Sequence, residues 1–149
     1  MTNTAAKATA EALARVLGDT FVLYMKAHNF HWNVEGARFM ALHEMFEGHY
    51  TDYAEAMDDL AERIRALGEY APGTTAEMLD NASVRETANR LSADEMLRDT
   101  VADFETIGST IRAAIDVAED HGDDVTAGML ADRLEYHEKQ AWMMKSMLK

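Results

Sequence analysis

Cysteine is absent from this chain. Disulfides, iron–sulfur clusters, thiolate zinc sites and thiol catalysis are excluded with it. Proline occurs once, at Pro72, so almost nothing interrupts helix formation. No run approaches the roughly 18 apolar residues of a membrane span. The opening segment, Met1 to Thr20, lacks the basic-then-apolar order of a signal peptide, so a soluble cytoplasmic protein is expected. Positive charge is also scarce. Fourteen Lys and Arg face 27 Asp and Glu, for a formal net charge of -13. That balance disfavours attraction to nucleic acid or anionic lipid and suits cations.

What is plentiful is Ala, Leu, Glu and Met, the last at 11 residues. All four favour helix, so the chain is expected to be all-α. Its 149 residues make one domain, 1–149. A chain of that size buries about two-thirds of its unfolded surface and needs no staples.

Four long helices can be read. The first runs from about Ala6 to Trp32, with Leu13, Leu17, Phe21, Tyr24, His28 and His31 recurring at spacings of three and four. Asn33 to Gly36 supply a tight turn. The second spans about Ala37 to Leu67, with a core stripe that includes Phe39, Leu42, Phe46, Tyr53, Leu60 and Ile64, and ends at Gly68. A long connection follows, to about Arg90. Thr74 and Glu77 form a capping box there, which opens a short extra helix through about Asp80. A second capping box, Ser92 to Glu95, opens the third long helix, which closes at His121-Gly122. Asp123 or Asp124 caps the fourth, carrying Leu130, Leu134, His137, Met144 and Leu148 inward. Connections that run short, long, short describe a ferritin-like four-helix bundle with a single crossover, here with a short helix inside it.

His31, His43, Asp58 and Glu62 carry side chains that are ordinary iron ligands. Asp58 and Glu62, four apart, share a helix face. His43 lies on the same helix 15 residues earlier, which at 1.5 Å per residue is about 22 Å along the axis. Metal–ligand bonds are about 2 Å long, so one centre cannot use both ends of this helix from one chain. Either the residues are unrelated, or the site is shared between two antiparallel copies. Glu-x-x-His, the usual intrachain diiron motif of such bundles, is missing: the residues three before each histidine are Met25, His28, Met40, Phe46, Ala118 and Leu134. The second helix does carry a polar stripe, His43, Glu47, Thr51, Ala54, Asp58, Glu62, without lysine. Laying a reversed copy over it, crossing near Thr51, brings His43 to Asp58 and Glu62 at each end. His31 and His43 flank the same turn on adjacent helices, which makes them a candidate ligand pair. Glu47, one turn from His43, is a candidate extra ligand or surface acid. Trp32 is a candidate electron source or a packing residue of the hairpin.

The run Lys26-Ala27-His28-Asn29-Phe30-His31-Trp32-Asn33-Val34-Glu35-Gly36 resembles the signature of Dps proteins, the DNA-protection miniferritins of starved cells. Leu42-His43-Glu44, Asp58-Asp59-Leu60-Ala61-Glu62-Arg63, Asp123-Asp124-Val125-Thr126 and Trp142 are similar too. The resemblance implies a hollow shell of twelve subunits with ferroxidase sites at two-fold interfaces. His31 and His43 would come from one subunit, Asp58 and Glu62 from its partner. Two irons per site would be oxidised, preferably by hydrogen peroxide, and stored as ferric mineral. Capping and solvation account for most of the acids around the turn into the fourth helix, Glu119, Asp120, Asp123, Asp124 and Asp132; the resemblance also implies that this region lines iron-entry pores, although Gly128 stands where some members carry an acid. His28 is expected in the core or behind the ligands; His49, His121 and His137 are expected to be structural.

Two functions remain distinct at this point. One is an iron-oxidising and iron-storing shell that also removes peroxide. The other is a nucleoid protein that coats DNA. Family members that bind DNA directly often carry a lysine-rich tail, whereas the first 20 residues here hold only Lys7 and Arg15. Weak or absent direct DNA binding is therefore expected.

Overall fold

The computed structural model describes residues 1–149 as five helices without strands. They are α1 (Asn3–Asn33), α2 (Phe39–Ala66), α3 (Thr75–Asn81), α4 (Ala93–Asp120) and α5 (Asp124–Met147). The bundle is the one the connection lengths predict, with α3 inside the long crossover.

Local chemistry sets the boundaries. The first helix begins earlier than its apolar periodicity suggests, because the Thr2 hydroxyl accepts from the Ala5 amide at 3.2 Å. Both expected capping boxes place their threonine or serine at the N-cap. Thr74 accepts from Glu77 N, and Ser92 accepts from Glu95 N while Glu95 accepts from Ser92 N. Asp123 caps α5 by accepting from Thr126 N at 3.0 Å. The second helix starts at Phe39, two residues late, since Gly36 turns the chain at φ +113° and Arg38 makes no side-chain cap.

Ion pairs between helices fix their directions. Arg38 at the start of α2 pairs with Asp94 at the start of α4, and Arg63 near the end of α2 pairs with Asp123 beyond the end of α4. These two helices therefore run parallel. Arg38 also donates to the Met147 carbonyl, so α5 runs against α2. Lys26, late in α1, meets Asp99 and Asp103, early in α4.

The core draws on α1, α2, α4, α5 and the crossover, with Leu13, Leu17, Phe30, Phe46, Leu97 and Ile111 among its fully buried side chains. Burial of this apolar surface is the main favourable term in folding. Phe39, expected on the core stripe, is 37% exposed instead, at the hairpin end of α2. The crossover is bound tightly to α1. Asp19 accepts from the Ser83 and Val84 amides at 2.6 and 2.8 Å, and Lys26 donates to the Arg85 carbonyl at 2.9 Å. Gly18 lets α3 come close: a Cβ there would lie 2.6 Å from the Met78 carbonyl oxygen.

Candidate metal centre

Chain reversal at Gly36 brings the end of α1 beside the start of α2. His31 is buried and His43 half-buried at that junction. The Nδ1–H of His31 donates to the His43 carbonyl at 2.6 Å, and the Nδ1–H of His43 donates to the His31 carbonyl at 2.7 Å. Their rings stack with centroids 3.7 Å apart and planes 12° off parallel. Phe39 also stacks on His43, at 4.9 Å. A neutral imidazole whose Nδ1 carries the proton has its lone pair on Nε2. A carbonyl bonded to the other ring nitrogen is the usual arrangement that fixes tautomer and orientation in a metal-binding histidine. Both rings are thus prepared to present Nε2.

Asp58 and Glu62 are exposed toward the other end of α2. The intervening helix is continuous from Phe39 to Ala66, so the separation of about 22 Å from His43 along the axis stands. Within one chain no three His, Asp or Glu side chains converge as a metal-binding group. The structure brings His31 and His43 together and leaves Asp58 and Glu62 apart from them. Glu47, Thr51 and Ala54, between the two ends, are exposed as well. The whole stripe is open along the outside of the chain, where a second helix could lie.

Trp32 is 61% exposed. Its one aromatic neighbour is the His28 ring, 5.1 Å away. His28 is half-buried and stacks on Tyr50 at 3.8 Å. Burial, and then the neighbouring His31, lower the pKa of His28 below its ordinary value. Tyr50 lies edge-on to His31 at 5.3 Å, and its hydroxyl donates to Glu47 at 3.3 Å. Desolvation, and then Glu47, raise the Tyr50 pKa. Sequence reading missed Tyr50. Its spacing of seven from His43 is a usable signal, since that is about two helical turns on the same face.

Toward the opposite end, Arg63 donates to Asp123 at 2.8 Å and to Thr126 at 2.9 Å. Burial favours a raised Asp123 pKa, but hydrogen bonds from Thr126 and the Arg63 charge outweigh it and the pKa is lowered. Asp123 is therefore buried as a cap and ion pair, while Glu119, Asp120, Asp124 and Asp132 stay exposed. Arg65 donates to the Glu69 carbonyl and sits over the Tyr70 ring at 4.4 Å.

Between the helices, Lys26 is held 2.9 Å from Asp99 and 2.5 Å from Asp103. Burial drives the Asp103 pKa up to about 6 against the opposing pull of Lys26. His49 bonds Gln140 at 3.1 Å, whereas neither ring nitrogen of His137 has a hydrogen-bond partner. Both are buried, as expected of structural histidines; His121 is exposed at the C-cap of α4.

The ferritin-like domain family model matches residues 10–149. A DNA protection during starvation protein of Brevibacillus brevis is 42% identical over 137 residues, covering 91% of each chain. The crystal structure of a Dps protein from Bacillus brevis superposes with a TM-score of 0.96 at 38% identity, covering 100% of both chains. The chain belongs to the Dps family. A Dps protein from Vibrio cholerae O1, described as a member of a broad superfamily of ferritin-like diiron-carboxylate proteins, gives a TM-score of 0.95 at 30% identity, over 100% of this chain and 94% of that one. Membership of the Dps family accounts for the single-crossover bundle, the short helix within the crossover and the likeness over nearly all of the sequence. No helix is long and apolar enough to cross a membrane.

Proposed function

We propose that this chain, acting as one domain over residues 1–149, is an iron-oxidising and iron-storing shell protein with active sites shared between subunits. Family membership supports iron storage in general and a hollow homododecamer in particular. The observation that carries the shared site is the reciprocal hydrogen bonding of His31 and His43, which prepares two Nε2 donors at one end of an otherwise exposed stripe. Asp58 and Glu62 of a second, antiparallel copy complete the donor set. Glu47 is an additional carboxylate within one turn of His43.

Iron(II) is the substrate. Imidazole and carboxylate hold it, and carboxylates favour it further after oxidation. With two iron(II) ions in one site, hydrogen peroxide takes one electron from each, accepts two protons and leaves as two waters. Paired transfer of that kind avoids the single-electron step that releases hydroxyl radical. Exposed acids about the start of α5 favour cation entry. DNA is then protected in the cytoplasm chiefly by removal of iron and peroxide. Coating of DNA by the shell is the second reading; the net charge of -13 disfavours it.

Mixed shells test the sharing. One subunit lacks His31 and His43, the other Asp58 and Glu62, and each alone is inactive. Verified mixed shells should regain rapid peroxide-driven iron oxidation at the interfaces that recover a complete set. Mixed shells as inactive as the parents would exclude the shared site.

A further inference from the structure

Resting on the shared-site reading, we infer that Tyr50 is an electron donor to that site. When only one iron(II) ion is bound, its phenol supplies the second electron that hydrogen peroxide requires, and Glu47 takes the phenolic proton.

Three contacts point to this. The Tyr50 ring meets the His31 ring edge-on, with centroids 5.3 Å apart and planes at 76°. Its hydroxyl already donates to the Glu47 carboxylate at 3.3 Å. On the side of α1 it stacks on His28, at 3.8 Å and 17°, which fixes the ring against rotation. Of the oxidisable rings nearby, Tyr50 is the one in aromatic contact with a proposed ligand. Tyr24 lies behind it at 6.5 Å. Trp32 lies beyond His28 and is mostly in solvent.

A site assembled from two chains fills one ion at a time, so a singly loaded state is unavoidable. Peroxide then finds one metal electron where it needs two. Left so, the O–O bond breaks to hydroxide and hydroxyl radical. With Tyr50 as donor, iron(II) and the phenol each lose one electron and peroxide gains both. The O–O bond breaks and the phenolic O–H breaks. The two protons required are the phenolic one, relayed by Glu47, and one from solvent. Two waters, iron(III) and a neutral tyrosyl radical result. Moving the proton with the electron matters here, because a partly buried cationic ring would be poorly solvated. Glu47 is already in place to receive it, whereas no protein group accepts from the Trp32 indole.

The test loads iron-free shell with one iron(II) per site, adds one equivalent of peroxide and freezes the mixture for electron paramagnetic resonance. The parent should show a tyrosyl radical. Tyr24→Phe should keep it. Tyr50→Phe, which retains the ring stack, should lose it and release more spin-trapped hydroxyl radical. Glu47→Gln should slow its appearance. An unchanged tyrosyl signal in Tyr50→Phe would overturn the assignment, as would its absence from a parent that has oxidised its iron. Asp58→Ala, run alongside, separates the two readings. Undiminished iron oxidation in that variant sinks the shared site, whereas the radical arms report on Tyr50 alone.

Discussion

His31 and His43 each donate Nδ1–H to the other's backbone carbonyl, at 2.6 and 2.7 Å, so each ring clamps the helix that carries the other. The two proposed nitrogen ligands are therefore also the fastener of the α1–α2 hairpin. Asp58 and Glu62 have no such second duty; both are exposed.

That asymmetry separates two variants. His43→Ala removes one bond and leaves the His31 ring unsupported. We expect the metal-free protein to lose about 1 kcal/mol or somewhat more, the usual net value of a partly buried hydrogen bond. Thermal unfolding of metal-free shell measures it. A midpoint equal to the parent's would show that the clamp contributes nothing.

Asp58→Ala should behave in the opposite way. Alanine is the best helix former and the site is exposed, so stability should change by less than about 0.5 kcal/mol. Peroxide-driven iron oxidation should fall severely. Should the variant unfold early yet oxidise iron at the parental rate, Asp58 is structural.

Gly18→Ala probes the contact between α1 and α3. The added Cβ meets the Met78 carbonyl oxygen at 2.6 Å and Asn81 Cβ at 2.9 Å, inside normal contact distance. Overpacking of this kind typically costs about 1–3 kcal/mol. Faster backbone hydrogen exchange in residues 75–84 than in the parent is the expected readout. Exchange at the parental rate would mean that the crossover yields freely.

The buried histidines predict acid sensitivity. Burial, reinforced by Arg133 and His49, pushes His137 down to about 3, and burial likewise lowers His49 against its bond to Gln140. Unfolded, both take protons near 6.5. The unfolded chain then binds more protons below that value, so stability is complete above pH 6.5 and falls as pH drops toward 3. Asp103 acts oppositely. Raised to about 6, it protonates in the fold ahead of its unfolded value of 3.8 and offsets part of the loss. Unfolding midpoints should fall between pH 6.5 and 4 in the parent and fall less in His137→Phe. Parallel pH curves for the two would remove His137 from this account.

DNA binding at neutral pH and physiological salt should be weak or undetectable. Duplex DNA carries one negative charge per about 1.7 Å, and affinity comes from Lys and Arg displacing its counterions. Each subunit here repels it with a net charge of -13, and Arg63 is already committed to Asp123. A gel shift with iron-free shell checks this. Tight, salt-sensitive retardation without divalent cations would favour the coating function.

Much of the bundle was legible because its signals are local. Capping boxes at Thr74 and Ser92, the cap at Asp123 and the glycines at the turns each declare a boundary within four residues. The start of α1 was misplaced because a threonine cap on a polar first turn leaves no apolar period to read. Phe39 was misassigned because apolar spacing cannot tell a face packed inward from one left open at a helix end. The four proposed ligands stood out through spacing and family likeness together. Tyr50, Lys26 and Asp103 did not, since their roles depend on which residues other helices bring against them. Lys26 reads as a surface charge until α4 supplies Asp99 and Asp103.

On the shared-site reading, the uninterrupted stretch of α2 from His43 to Asp58 is a ruler. It sets how far one metal site lies from its symmetry mate, and in which direction each pair of ligands faces. Inserting a single residue would advance the carboxylates by about 1.5 Å and swing them by about 100° around the axis. Both sites would be lost at once while every ligand remained present. Point substitutions along the ruler can be numerous, but its length cannot drift. An alteration of one residue in length, anywhere in those roughly four turns, is therefore more damaging than most changes of residue type.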